Sequence, residues 1–249
     1  MPGRAEGGLP RKLLRHVTSL FIFPLLTLPA LAADLPAGFV RLKDIDPTIR
    51  QDMRYAGSAN FLGRPAKGYD APACILTPEA AEALSKAQKA LASEQLTLVV
   101  FDCYRPTSAV ADFVAWTRQG GKIDPMWSPK VKRRDLVSQG YIAGRSAHSR
   151  GSTVDIGIAP LDPAAAAPDP SCGAAGARTL EFGTGFDCFD PTSNTAHAPL
   201  PAGASENRRK LVQAMKAQGF RNYAAEWWHF TLNGEPFPRK RFGFPVTAD

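Results

Sequence analysis

Histidine occurs four times in this 249-residue chain, and two of the four stand where they could hold a metal. His148 lies in Ser146-Ala147-His148-Ser149-Arg150-Gly151-Ser152-Thr153-Val154-Asp155, where a glycine turn separates the imidazole from an aspartate. His229 ends the run Glu226-Trp227-Trp228-His229. Three nitrogen or oxygen ligands and one open position are what catalytic zinc requires. A metal hydrolase also needs a carboxylate that does not ligate, to take a proton from the attacking water. His148, Asp155 and His229 supply the ligands and Glu226 the base. Singly, each has a plainer reading: a histidine beside tryptophans packs in a core, and an aspartate caps a turn. Their combination points to chemistry. His197 lies in a polar loop and reads as a surface residue.

The elements around these residues must bring them together. Thr153–Ile158 reads as a strand whose alternation puts Thr153, Asp155 and Gly157 on one face and Val154, Ile156 and Ile158 on the other. A second strand is expected over Trp227–Leu232. Residues three apart on a strand face opposite ways, so Glu226 must precede it, in a bend that Tyr223-Ala224-Ala225 permits. Leu96–Phe101 (LTLVVF) is a buried strand. It leads into Asp102-Cys103-Tyr104-Arg105-Pro106, where Arg105 either enters a cleft, to steady an oxyanion, or pairs with Asp102 at the surface. Thr77-Pro78-Glu79 starts a helix that runs to about Ser93. Another starts at Pro106 and carries Val110, Phe113, Val114 and Trp116 on one side. A third, Glu206–Gln218, turns Leu211, Val212 and Met215 inward and ends at Gly219. Residues 34–72 read as irregular, and residues 118–145 as polar and loop-rich with a short helix. Residues 159–203, rich in Ala, Pro and Gly, are expected to be the least ordered. The fold class is α+β: a single domain with a small, largely antiparallel sheet flanked by helices.

The first 32 residues read as an export signal. Arg4, Arg11, Lys12 and Arg15 precede an apolar run from Val17 to Leu31, and Ala30-Leu31-Ala32 supplies a small-x-small cut. Pro24 and Pro29 interrupt a run already too short to span a bilayer, so no stable membrane anchor is expected. The mature domain is then 33–249, one core's worth of chain. The leader's four basic residues and Glu6 account for +3 of the formal +7, leaving +4. That modest excess, without a basic patch interleaved with aromatics, does not indicate nucleic acid. Cys74, Cys103, Cys172 and Cys188 form an even set for an oxidising compartment. Cys172–Cys188 would staple the Ala/Pro/Gly-rich stretch, leaving Cys74–Cys103. No Cys-x-x-Cys is present, so a cysteine zinc site is not expected. The sequence sets no oligomeric state.

Ser146-x-His148-(x)6-Asp155 and Glu226-Trp227-Trp228-His229 resemble the zinc motifs of D-alanyl-D-alanine dipeptidases of the vancomycin-resistance type, within a wider group of zinc cell-wall peptidases. Met53-Arg54-Tyr55-Ala56 with Asn60-Phe61-x-Gly63, Asp102-x-Tyr104-Arg105-Pro106, Gly183-Thr184-Gly185-Phe186-Asp187, Asn207-Arg208-Arg209 and Phe242-x-Phe244-Pro245 are similar too. The resemblance covers about Asp52–Pro245. It implies a zinc DD-peptidase or hedgehog-like fold and one zinc per chain on His148, Asp155 and His229. It further implies Glu226 as base, Arg105 beside it in catalysis, and a small D-amino-acid dipeptide as substrate. Asp187 would meet the substrate's amino group, and Tyr55 and Ser146 its backbone or carboxylate. Two departures stand out: a longer insertion between Asp155 and Gly183, and the export signal, which places the chain in the periplasm. Two other functions compete with this one: a murein carboxypeptidase or endopeptidase acting on longer peptides, and a zinc-dependent wall-binding module without turnover. Glu226 argues against the last, because a binding module needs no base.

Overall fold

The computed structural model describes residues 1–4 and 35–248, so the leader expected over residues 1–32 falls, from residue 5 on, outside the described residues. Among the described residues no helix is long and apolar enough to cross a membrane. The strands are β1 (Val40–Arg41), β2 (Arg50–Gln51), β3 (Ile75–Leu76), β4 (Leu96–Asp102), β5 (Thr153–Pro160), β6 (Phe220–Asn222) and β7 (His229–Leu232). The helices are α1 (Leu42–Ile45), α2 (Pro78–Ala92), α3 (Thr107–Arg118) and α4 (Ala204–Ala217). A five-stranded sheet has the order β2-β4-β5-β7-β6. Only β2 runs parallel to its neighbour; the other pairings are antiparallel. β1 and β3 form a separate antiparallel pair.

The two long central strands, β4 and β5, are buried almost throughout, as their continuous apolar runs require. β2 pairs with β4 only at Val99 and Val100, so the N–H of Leu98 would lack a strand partner. Gln88 of α2 supplies one, its Oε1 accepting that N–H at 2.8 Å. Helices α2 and α4 pack against each other and on the sheet. Pro78 occupies the first turn of α2, but Thr77 does not cap it: its hydroxyl, fully buried, lies 2.8 Å from that of Ser152. Gly219 follows α4 in the left-handed region (φ +86°), the geometry of a helix stop.

Several expectations shift. Residues 34–72 include α1 and three short strand or helical pieces. The short helix of 118–145 is a single 3₁₀ turn, Arg133–Asp135. Past the end of β5 at Pro160, the stretch to residue 203 is irregular apart from the 3₁₀ turns Pro163–Ala165 and Pro191–Ser193, yet Cys172, Ala174, Phe182, Phe186, Cys188 and Phe189 within it are all buried. They roof the sheet face that carries Asp155 and Gly157. Phe186 stacks on Phe101 with ring centroids 5.2 Å apart, and the missing side chain of Gly157 leaves room for the Phe101 ring. Order there comes from tertiary packing and the Cys172–Cys188 disulfide. Cys74–Cys103 is the second disulfide.

Candidate active site

A β-bulge begins the site. β4 and β5 pair in regular register from Leu96↔Pro160 to Val100↔Ile156, after which Asp102, not Phe101, opposes Asp155. The extra residue bends β4 and turns both Phe101 and Asp102 to the face of Asp155. Across β5, Asp155 opposes His229 at the start of β7. Three neighbouring strands thus present Asp102, Asp155 and His229 side by side.

His148 arrives from a 3₁₀ turn (His148–Arg150) that closes at Gly151. Gly151 has φ +85°, and a Cβ there would sit 2.4 Å from the Phe39 ring, so only glycine fits. The turn is pinned by Phe242 N–H donating to the Ser149 carbonyl (2.9 Å). His148 Nδ1 lies 2.8 Å from the Cys103 carbonyl oxygen. A carbonyl only accepts, so Nδ1 carries the proton and Nε2 presents its lone pair.

Glu226 precedes β7, in the turn joining it to β6, where Glu226 N–H donates to the Tyr223 carbonyl and His229 N–H to that of Glu226. The expected bend is there, and β7 starts at His229, two residues later than the sequence suggests, with Trp227 and Trp228 inside the turn. The turn lets two side chains three residues apart converge: Glu226 Oε2 is 3.4 Å from His229 Nδ1.

Three potential ligand atoms meet. Asp155 Oδ1 is 3.0 Å from His229 Nδ1 and 3.3 Å from His148 Nε2, and the two nitrogens are 3.3 Å apart. Tetrahedral ligands about 2.0–2.1 Å from zinc sit about 3.3 Å from one another. Asp155 Oδ1 is buried and accepts no well-directed hydrogen bond. That orphaned oxygen, the lone pair of His148 Nε2 and the adjacent His229 Nδ1 fit a cation among them. Around them lies a cavity of about 260 Å³, lined by His148, Asp155, Glu226 and His229 and walled by aromatic side chains that include Phe61, Phe113 and Trp228.

Residues 36–247 match the peptidase family of D-Ala-D-Ala dipeptidases. The chain belongs to this family. The D-alanyl-D-alanine dipeptidase of Enterococcus faecium is 35% identical to it over 84% of this chain and 98% of its own length. The enzyme of that name from Streptomyces coelicolor is also 35% identical, with the same coverage. That of Escherichia coli is 28% identical over 84% of this chain and 89% of its own.

The remaining expected residues of the dipeptidase site also line the cavity. Arg105 lines the cavity and also pairs with Asp102. Its Nε donates to Asp102 Oδ2 (2.9 Å), and its Nη2 reaches within 3.4 Å of Asp155 Oδ2, but Asp102 is wholly buried rather than at the surface. The guanidinium also lies 5.0 Å from the Tyr55 ring centroid and 5.1 Å from that of Phe113. Tyr55 Oη donates to Asp187 Oδ2 at 2.7 Å, and Asp187 has φ +62°, a strained backbone for a residue with a side chain. Ser146 Oγ accepts the His148 N–H at 3.2 Å. Its exposed neighbour Arg145 lines the cavity as well.

Asp102 is the site residue that sequence reasoning missed. Besides Arg105 it accepts the Tyr69 hydroxyl (2.5 Å) and lies 3.4 Å from His148 Nδ1. Its place in Asp-x-Tyr-Arg-Pro was visible; the bulge that turns it inward was not.

Burial governs the site's protonation. It pushes Glu226 up to about 7, against the pull of His229 and with the push of Asp155. It raises Asp187 strongly, with only the Tyr55 hydrogen bond and Arg105 opposing. Burial acts upward on Asp155 too, but the two imidazoles overcome it and hold that carboxyl far below the usual range. A buried carboxyl near neutrality and a low one beside it are an arrangement suited to base and ligand, respectively.

Proposed function

We propose that the chain hydrolyses D-alanyl-D-alanine, or a similarly small D-amino-acid dipeptide, to free amino acids in cell-wall peptide metabolism. The ligand geometry is the observation that carries this reading. His148 Nε2, Asp155 Oδ1 and His229 Nδ1 lie 3.0–3.3 Å from one another at the wall of one cavity, with the Glu226 carboxyl 3.4 Å from His229 Nδ1. Asp187, bonded to Tyr55, lines the same cavity as a partner for the ammonium of a free dipeptide. The resident metal in this reading is one zinc per chain, held by His148, Asp155 and His229. It would supply Lewis-acid polarisation of the scissile carbonyl and a more acidic water.

The chain's own residues do the rest. Glu226, with its raised proton affinity, takes a proton from the attacking water and returns it to the leaving amine. Arg105, fixed by Asp102, offers its guanidinium to the oxyanion. Asp187 and Tyr55 take the substrate's ammonium, and Ser146, beside Arg145, its carboxylate end. With both ends recognised, a cavity of about 260 Å³ falls below the ~300–1,000 Å³ of sites for drug-sized ligands, which favours a dipeptide over a wall peptide. A zinc DD-peptidase or hedgehog-like fold, removal of residues 1–32, and a periplasmic enzyme acting as the 33–249 domain complete the reading.

The test is release of free D-alanine from D-Ala-D-Ala, with and without chelator, beside the N-acetylated dipeptide. A dipeptidase cleaves the free form and rejects the blocked one. Equal cleavage of both would transfer the chain to the endopeptidase reading, and no metal-dependent release from either would end both.

A further inference from the structure

Arg208 lies in the first half of α4, away from the residues that line the cavity, and is 1% exposed. Among the described residues no carboxylate forms an ion pair with it. Its guanidinium instead donates to three backbone carbonyls: Nε to Phe182 (2.8 Å), Nη1 to Asn194 (2.7 Å) and Nη2 to Thr192 (3.0 Å). Burial lowers its pKa to about 10, against the pull of the Glu181 charge. A buried charge is a poor way to stabilise a fold, since apolar side chains of similar volume serve as well or better. The choice of arginine therefore calls for another reason, and the carbonyls name it. One belongs to the start of the segment 182–194 and two to its end, and Asp187 sits between.

That segment is held internally as well. Ser193 Oγ donates to the Cys188 carbonyl (2.6 Å) and lies 3.1 Å from Thr184 Oγ1, which accepts Trp227 Nε1–H (2.9 Å). Trp227 follows Glu226 directly. Within the segment, Asp187 has φ +62° and accepts the Tyr55 hydroxyl at 2.7 Å. We infer that Arg208 is a positioning residue for recognition of the substrate's amino group: by clamping both ends of residues 182–194 it holds Asp187 at the cavity wall. This rests on the reading of Asp187 as the ammonium's partner.

Arg208→Lys tests it, because an ammonium keeps the charge and the apolar stem but cannot span three carbonyls in a plane. Steady-state constants for D-Ala-D-Ala and N-acetyl-D-Ala-D-Ala are measured with wild type, Arg208→Lys, Asp187→Ala and Ser193→Ala, alongside bound metal and thermal midpoint. The expected result is a KM for the free dipeptide raised about 10–10²-fold with a smaller change in kcat and metal retained. Discrimination between free and blocked substrate should fall toward that of Asp187→Ala. A purely structural arginine would lower the midpoint and leave that discrimination alone. Should Arg208→Lys not fold, Ser193→Ala, which deletes one hydroxyl from the same segment, should still reduce discrimination roughly threefold. Discrimination within about twofold of wild type in Arg208→Lys and Ser193→Ala, wherever each folds, overturns the inference. Wild type that fails to discriminate at all overturns the Asp187 reading beneath it, so the two failures are told apart.

Discussion

Glu226 and His229 meet because a turn, not a strand, separates them, and the distinction gives each a different mutant. Glu226→Gln keeps the shape of the side chain but cannot accept a proton. It should keep its metal and lose about 10²–10⁴ in kcat, more if protonation of the leaving amine fails too. A variant within about threefold of wild type would remove Glu226 as base. His229→Ala should lose the metal itself. Arg105→Ala should keep the metal and lose about 10²–10³ in kcat, read by the same two assays of bound metal and turnover. The residues proposed as ligands and base were legible in the sequence because few residue types can do these jobs and they cluster in two short motifs. Asp102 was not, because its orientation depends on one extra residue in β4, and pairing register is a tertiary fact. Asp102→Asn should therefore weaken the system through its partners. An amide cannot accept from Arg105, Tyr69 and the His148 side at once, so a fall in kcat with normal KM is expected.

At the level of elements, β4, β5, α2 and α4 fall close to their expected places, since continuous apolar runs and helix-end residues are local signals. The covering segment 159–203 did not announce its packing. Alanine, proline and glycine carry no periodicity, and its order comes from Arg208 and Trp227, which reach it from elements outside it, and from the Cys172–Cys188 bridge within it. A second irregular stretch, near residues 57–68, is tied to α3 by Arg64, whose Nη1 and Nη2 donate to the two oxygens of Asp112 (2.7 and 2.9 Å). Arg64's hydrogen bonds, outweighing burial, hold the Asp112 carboxyl below its usual value. A depressed carboxyl stabilises the fold above the unfolded value of about 3.9, and that contribution fades as pH falls through the lower folded value. Arg64 is largely exposed, so the pair contributes only about 0.5–1.5 kcal/mol. Urea melts should therefore show Asp112→Asn less stable than wild type at pH 7, with the gap closing below about pH 3. A gap that persists unchanged at low pH would assign the loss to packing instead.

Taken as a whole, the molecule places both disulfides against its chemistry. Cys103 lends its carbonyl to His148 Nδ1 and is bonded to Cys74. Cys188 follows Asp187 and is bonded to Cys172. One bridge thus stands behind a proposed metal ligand and the other beside the proposed amino-group partner. Each also restrains the unfolded chain: with the partners 29 and 16 positions apart in sequence, loop closure contributes about 3–4 kcal/mol apiece. For a domain of this size each kcal/mol moves the thermal midpoint by about 2–4 °C, so full reduction should lower it by at least 10 °C or so. Activity should respond in a pattern that stability alone does not produce. Well below the reduced midpoint, a Cys172→Ser/Cys188→Ser protein should show a raised KM for the free dipeptide with metal retained, because only the Asp187 side is loosened. A Cys74→Ser/Cys103→Ser protein should instead bind metal more weakly in a competition with a chromophoric chelator, because the carbonyl that sets the His148 tautomer is no longer anchored. Second-shell losses of this kind typically cost about 10–100-fold in metal affinity. Equal metal affinity and equal KM in both double variants, at a temperature where each is folded, would reduce the bridges to plain staples. The split outcome would make an oxidising compartment a condition of the enzyme's working geometry, and that ties the proposed export of the chain to its chemistry.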